Sequence, residues 1–165
     1  MADNLPVNIR LELMGIAALL ATVACDNPSD PKHLGVSLNK NGRTVVHYQP
    51  CPGERVTRVR LIEVHGDSPY DGDDRTLWAI RAHRSGSTAS FTVGDTPPGY
   101  VERVALREPL PDSYFVAQIS ASSGAEVANG FSPRELSART VHVADGDILT
   151  RADFRARALE DCPPR

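Results

Sequence analysis

The segment Gly35–Tyr48, GVSLNKNGRTVVHY, decides the fold. Two short runs, GVSL and RTVVHY, flank Asn39-Lys40-Asn41-Gly42, where Asn41-Gly42 supplies the positive φ angles that a tight hairpin turn requires. The same texture continues toward the C-terminus, as short alternating segments set apart by glycine, proline, asparagine and aspartate. VTRVRL (56–61) alternates Val59 and Leu61 with Arg58 and Arg60, giving one dry face and one wet face. RTLWAIRAH (75–83) puts Trp78, Ile80 and Ala82 on a single side, and STASFTV (87–93) does so with Ala89, Phe91 and Val93. VERVAL, YFVAQISA and RTVHVA read as further strands, with AEVANGF a weaker match. Seven or so short strands, without the long helices that parallel crossovers need, predict an all-β fold: an immunoglobulin-like or fibronectin-like antiparallel β-sandwich.

Two short helical pieces accompany the strands. Ser132-Pro133-Arg134-Glu135 combines a cap residue, a proline at the first position and a glutamate placed for a capping box. Thr150 to Asp161 predicts a short C-terminal helix, because RADFRARALED carries alanine and arginine where a strand favours β-branched residues, and Thr150 with Asp153 imitates a box.

A chain of 165 residues, 41% hydrophobic, suits one domain with a short appendage. Its formal charge of −3 is spread through the sequence, which argues against a nucleic-acid partner, since that needs a basic field. Only Lys32 and Lys40 among the 18 basic residues are lysines, a usage expected of a GC-rich genome.

Leu13–Ala24, LMGIAALLATVA, is an uncharged run of the length of a signal-peptide core, short of the roughly 20 apolar residues that span a bilayer. It stops at Cys25, and Asp26 to Gly35, DNPSDPKHLG, follows as a polar, proline-bearing tether. Thr22-Val23-Ala24-Cys25 resembles the lipobox of bacterial lipoprotein precursors, with threonine standing where leucine is usual and Glu12 abutting the apolar core. The resemblance implies cleavage before Cys25 and lipidation of its thiol by a diacylglyceryl group, with palmitate-type acyl chains. It also implies placement at the outer face of a cell membrane, as in small lipoproteins of high-GC bacteria. Two acyl chains hold a protein where one holds it only marginally. The expected organisation is a signal peptide at 1–24, a lipidated cysteine and tether at 25–34, and a β-sandwich domain at 35–165. An uncleaved anchor, an ordinary secretion signal or the core helix of a cytosolic β domain are the other readings of the same run.

Cysteine number fits the lipoprotein reading. Cys25, Cys51 and Cys162 are an odd set, and lipidation of Cys25 leaves Cys51 and Cys162 to pair in an oxidising compartment. Such a bridge closes a loop of about 110 residues, worth roughly 4 to 5 kcal/mol in the chain-entropy model. In a cytosolic protein all three would be free thiols.

Signals for catalysis are thin. Gly66-Asp67-Ser68-Pro69 resembles the nucleophile block of GDSL-type serine hydrolases, which implies an esterase using Ser68. Those enzymes place an aspartate three residues before the catalytic histidine, and here only Asp30 and His33 have that spacing, within the tether. Asp67, Asp71, Asp73 and Asp74 could gather around a hard cation, as could Asp145 and Asp147 in the Ala144-Asp145-Gly146-Asp147 turn, but neither has EF-hand spacing and both suit solvated turns. No HExxH or paired-cysteine motif is present, and His47 and His142 fall within strands. Arg58, Arg60, Arg81, Arg84, Arg103 and Arg107 could share a sheet face and attract anionic envelope polymers, or be balanced by Glu54, Glu63, Glu102 and Glu108. The expectation is a non-enzymatic, membrane-anchored protein with a binding or structural role in the cell envelope. No catalytic or metal-binding residue and no cofactor is assigned, and the partner is an envelope protein or polymer.

Overall fold

The computed structural model describes residues 33–65, 74–83, 88–107 and 109–162. Among the described residues ten strands follow one another: β1 (Leu34–Leu38), β2 (Thr44–Tyr48), β3 (Val56–Val64), β4 (Arg75–Ala82), β5 (Ser90–Thr92), β6 (Tyr100–Val104), β7 (Tyr114–Ala121), β8 (Glu126–Phe131), β9 (Val141–Val143) and β10 (Ile148–Leu149). They form two five-stranded antiparallel sheets, ordered β10-β9-β1-β2-β5 and β6-β4-β3-β7-β8. β1-β2-β5 and β3-β7-β8 follow the A-B-E and C-F-G order of immunoglobulin sandwiches, with two strands added beyond β1 and two beyond β3. The fold is the all-β sandwich with a short C-terminal helix that the alternation predicts.

Alternation builds the shared core. Val59 and Leu61 of β3, Trp78 and Ile80 of β4, and Phe115, Ala117 and Ile119 of β7 meet Leu34, Val36, Val46, Tyr48 and Phe91 of the opposite sheet. Phe91 and Tyr100 make an edge-on ring contact across the layers, with centroids 5.3 Å apart, and the Tyr100 hydroxyl donates to the Val56 carbonyl at 3.1 Å. Ala82 and Ala89 share the expected sides but lie at element ends, where they are only half-buried.

The β1–β2 turn is one residue longer than a minimal hairpin. The Gly42 N–H donates to the Asn39 carbonyl, so Lys40 and Asn41 are central and Gly42, at φ 74°, returns the chain to the ladder. The Asn39 side chain accepts from the N–H groups of Asn41 and Arg43 and holds the turn closed.

A third layer covers the first sheet. Helix α1 (Arg151–Glu160) starts at Thr150, whose hydroxyl accepts from the Asp153 N–H at 3.1 Å and donates to the Asp153 carboxylate at 2.7 Å. Its buried residues are Phe154 and Ala158, and Phe154 packs with Val141 and Val143 in a core separate from the main one. Gly35 permits the approach, since a Cβ there would lie 2.2 Å from Val141 Cγ1 and 3.2 Å from Phe154 Cε2. With side chains covered on both faces, β2 is buried along its whole length. The other helical piece, Pro133–Glu135, is a single 3-10 turn that begins at its proline, but the expected capping box is absent, since the Ser132 side chain makes no cap hydrogen bond.

Cys51 and Cys162 form a disulfide with Cα atoms 5.5 Å apart and a sequence separation of 111. It fastens the end of α1 to the segment leaving β2. Leu34, inside the tether span read from sequence, is the first residue of β1 and fully buried.

Candidate functional site

The outer face of the β6-β4-β3-β7-β8 sheet carries a group of arginines. Because Val59 and Leu61 point inward, Arg58 and Arg60 point outward, and because Trp78 and Ile80 point inward, so does Arg81 outward. Arg58 and Arg81 are direct cross-strand partners, a juxtaposition of like charges that opposes pairing. Arg103 joins them through a bulge: Ala79 pairs with Val104 and Ile80 with Glu102, leaving Arg103 as the extra residue on β6. A bulge at a sheet edge re-aims the side chain of its extra residue.

These residues border two depressions. One, of about 520 Å³, is lined by Arg58, Arg81 and Arg103 with Thr57 and Ser120. The other, of about 440 Å³, is lined by Arg75, Arg103 and Arg107 with Leu77 and Leu106. Thr76, Arg103 and Val104 belong to both, so the two make one trough running over the β6 edge. Among the described residues, Arg58, Arg81 and Arg103 have no ion-pair or side-chain hydrogen-bond partner. Arg60 bonds the Gln118 side chain, and Arg75 pairs with the buried Glu63 at 3.0 Å.

Of the glutamates read as its balance, Glu54 and Glu63 are engaged elsewhere, Glu102 is exposed on β6 beside Arg103, and Glu108 lies outside the described residues, while Glu126 accepts from the Ser120 hydroxyl at the margin of the trough. Glu54 accepts from the Tyr48 hydroxyl at 2.9 Å and from the Cys51 N–H at 3.1 Å. Glu63 accepts from Arg75 and from the Ser113 hydroxyl. Burial, reinforced by the bond to Glu54, raises the Tyr48 phenol above its ordinary value. Of the arginines read from sequence, Arg58, Arg60, Arg81 and Arg103 share the face and Arg107 borders the trough, while Arg84 lies outside the described residues.

A second polar group, unforeseen in the sequence, lies beneath α1. His47 sits between the Ser37 hydroxyl at 2.8 Å and the Ser90 hydroxyl at 2.9 Å, linking β1, β2 and β5. Burial, with Arg151 and Arg155 nearby, lowers its pKa to about 4, so the ring is neutral and too weakly basic to take a proton at neutral pH. The arrangement acts as a cross-strand bridge.

The remaining sequence candidates separate cleanly. Cys25, Asp67, Ser68, Asp71 and Asp73 lie outside the described residues. Asp74 lies beside His65, whose N–H donates to it at 3.4 Å. Asp145 and Asp147 are bridged by Arg157, which makes that turn an ion-pair hub and raises the Arg157 pKa through its bond to Asp147. The backbone carbonyl of His142 accepts from the buried Asn129 amide at 2.8 Å, joining the two sheets at one edge. Among the described residues no helix is long and apolar enough to cross a membrane. No protein family, curated protein or solved structure matches the chain.

Proposed function

We propose that this is an exported lipoprotein, anchored through Cys25 at the outer face of a cell membrane, whose sandwich binds an anionic polymer of the envelope along the arginine trough. The observation that carries the reading is the set of three unpartnered guanidinium groups, Arg58, Arg81 and Arg103, around one depression. Guanidinium forks match carboxylate and phosphate oxygens in pairs, and an elongated trough suits a chain of repeating charges better than a single small anion. The Cys51–Cys162 disulfide supports an oxidising compartment, and the polar stretch after Cys25 supports a tethered domain.

Titration with polyphosphate and with poly-glutamate at two salt concentrations tests the trough. Parent protein binds at least one of them, more weakly at high salt. The double variant Arg58→Glu, Arg81→Glu binds at least roughly tenfold more weakly, since one charge-assisted hydrogen bond is worth about 1.5 to 3 kcal/mol. Arg139→Glu, an exposed site outside the trough, binds as the parent does. Equal binding by the trough double variant, or none by the parent, overturns the reading.

A further inference from the structure

We propose that His33, Cys51 and Cys162 form a redox-gated site for a thiophilic d10 metal ion, with Zn2+ as its probe, closed in the disulfide form and open once the bond is reduced. The two sulfur atoms and a ring nitrogen of His33 lie within 4.8 Å of one another. Three separate elements bring them together: His33 leads into β1, Cys51 follows β2, and Cys162 follows α1. Spacings of this kind carry no metal-binding motif, so the cluster exists only in the folded chain.

His33 is prepared as a ligand. Its Nδ1 lies 2.7 Å from the Gln49 carbonyl, which can only accept, so Nδ1 carries the ring proton and Nε2 keeps its lone pair. The backbone repeats the link, with the Gln49 N–H donating to the His33 carbonyl at 3.0 Å. Metal-bound histidines characteristically donate their second nitrogen to a carbonyl or carboxylate in this way, which fixes tautomer and ring direction. His33 is 9% exposed, and Cys51 and Cys162 are half-buried.

Two thiolates and an imidazole suit zinc or copper(I), and three protein ligands leave a fourth position for water or another donor. A tetrahedral ion holds sulfur and nitrogen ligands about 3.5 to 3.8 Å apart. Reaching that spacing requires the sulfurs to separate once their bond is broken, and Cys162 lies just beyond the C-cap of α1. Opening takes two electrons and two protons from a dithiol, which becomes a disulfide while Cys51 and Cys162 become thiols. The metal then displaces both thiol protons to solvent. In the oxidised form the sulfurs are bonded to each other and offer no thiolate.

The test uses the full chain carrying Cys25→Ser, so that Cys51 and Cys162 are its sole thiols. After anaerobic reduction with a phosphine and desalting, Co2+ and then Zn2+ are added while near-ultraviolet absorption and circular dichroism are recorded. The reduced chain takes one equivalent of Co2+ with thiolate-to-metal charge-transfer absorption, and Zn2+ displaces it, whereas the disulfide form shows neither. His33→Gln weakens Zn2+ binding by roughly tenfold or more. If reduction alone unfolds the chain, one equivalent of Zn2+ restores the β signal, since binding then supplies folding free energy. A reduced chain that neither binds nor refolds, equal binding by the disulfide form, or His33→Gln and His33→Ala both matching the parent would each overturn the site. The trough shares no residue with it, so polymer binding survives that failure.

Discussion

At the scale of single residues, His47 ties the fold to pH. Its pKa falls from 6.5 in the unfolded chain to about 4 in the folded one, chiefly through burial. Between those values the unfolded chain holds a proton that the folded chain lacks, so stability rises with pH across that window. The contribution is complete above about pH 6.5 and is lost as pH falls toward 4, with an upper limit of about 3 kcal/mol at 1.36 kcal/mol per pH unit. Urea midpoints measured from pH 7.5 down to 4.5 should therefore drop for the parent and drop less for His47→Gln. Parallel curves would remove His47 as the source. The strand position of His47 was legible from alternation in TVVHY, but its hydroxyl partners were not, because Ser90 is 43 residues away. The arginine face was partly legible: parity within β3 and β4 aims Arg58 and Arg81 outward, whereas only the bulge brings Arg103 to them. Engagement of Glu54 and Glu63 elsewhere depends on contacts with Tyr48, Cys51, Arg75 and Ser113.

At the scale of elements, α1 depends on its surroundings. Ten residues make a marginal helix in isolation, and its apolar content facing the sheet is chiefly Phe154 and Ala158. Thr150 caps one end, and the disulfide fastens the other to the segment after β2. Cys162→Ser should cost about 2 to 5 kcal/mol. Amide exchange should then accelerate in α1 well before it does in β3 and β7, whose long pairing forms the centre of the other sheet. Uniform acceleration in all three elements, or no loss of stability, would contradict this account of the staple. Cap chemistry made the helix itself readable in the sequence. Its docking was hidden, because the cue is an absence: Gly35 lacks the side chain that would collide with Val141 and crowd Phe154. The Ser132 segment shows the converse, as cap residues without a following amphipathic run leave only a 3-10 turn.

At the scale of the whole molecule, the proposed lipoprotein joins an anchor, a tether and a charged sandwich face. Cys25→Ser should leave the protein unlabelled by radioactive palmitate and release it from the membrane fraction of its host. Membrane retention with label would place the lipid elsewhere. The amino-acid sequence by itself determined the sandwich, most of its strands and its short C-terminal helix, because period-two alternation and turn residues act over a few neighbours, but it gave no sign of β10. It also narrowed the disulfide to one pair by number alone, once Cys25 is set aside. Tertiary structure alone decided that α1 seals the second face of a sheet, that Arg58, Arg81 and Arg103 share a trough, and that His33 stands beside the disulfide. Each of these depends on residues far apart in the chain, and local patterns carry no information about which distant side chains packing will bring within a few ångströms.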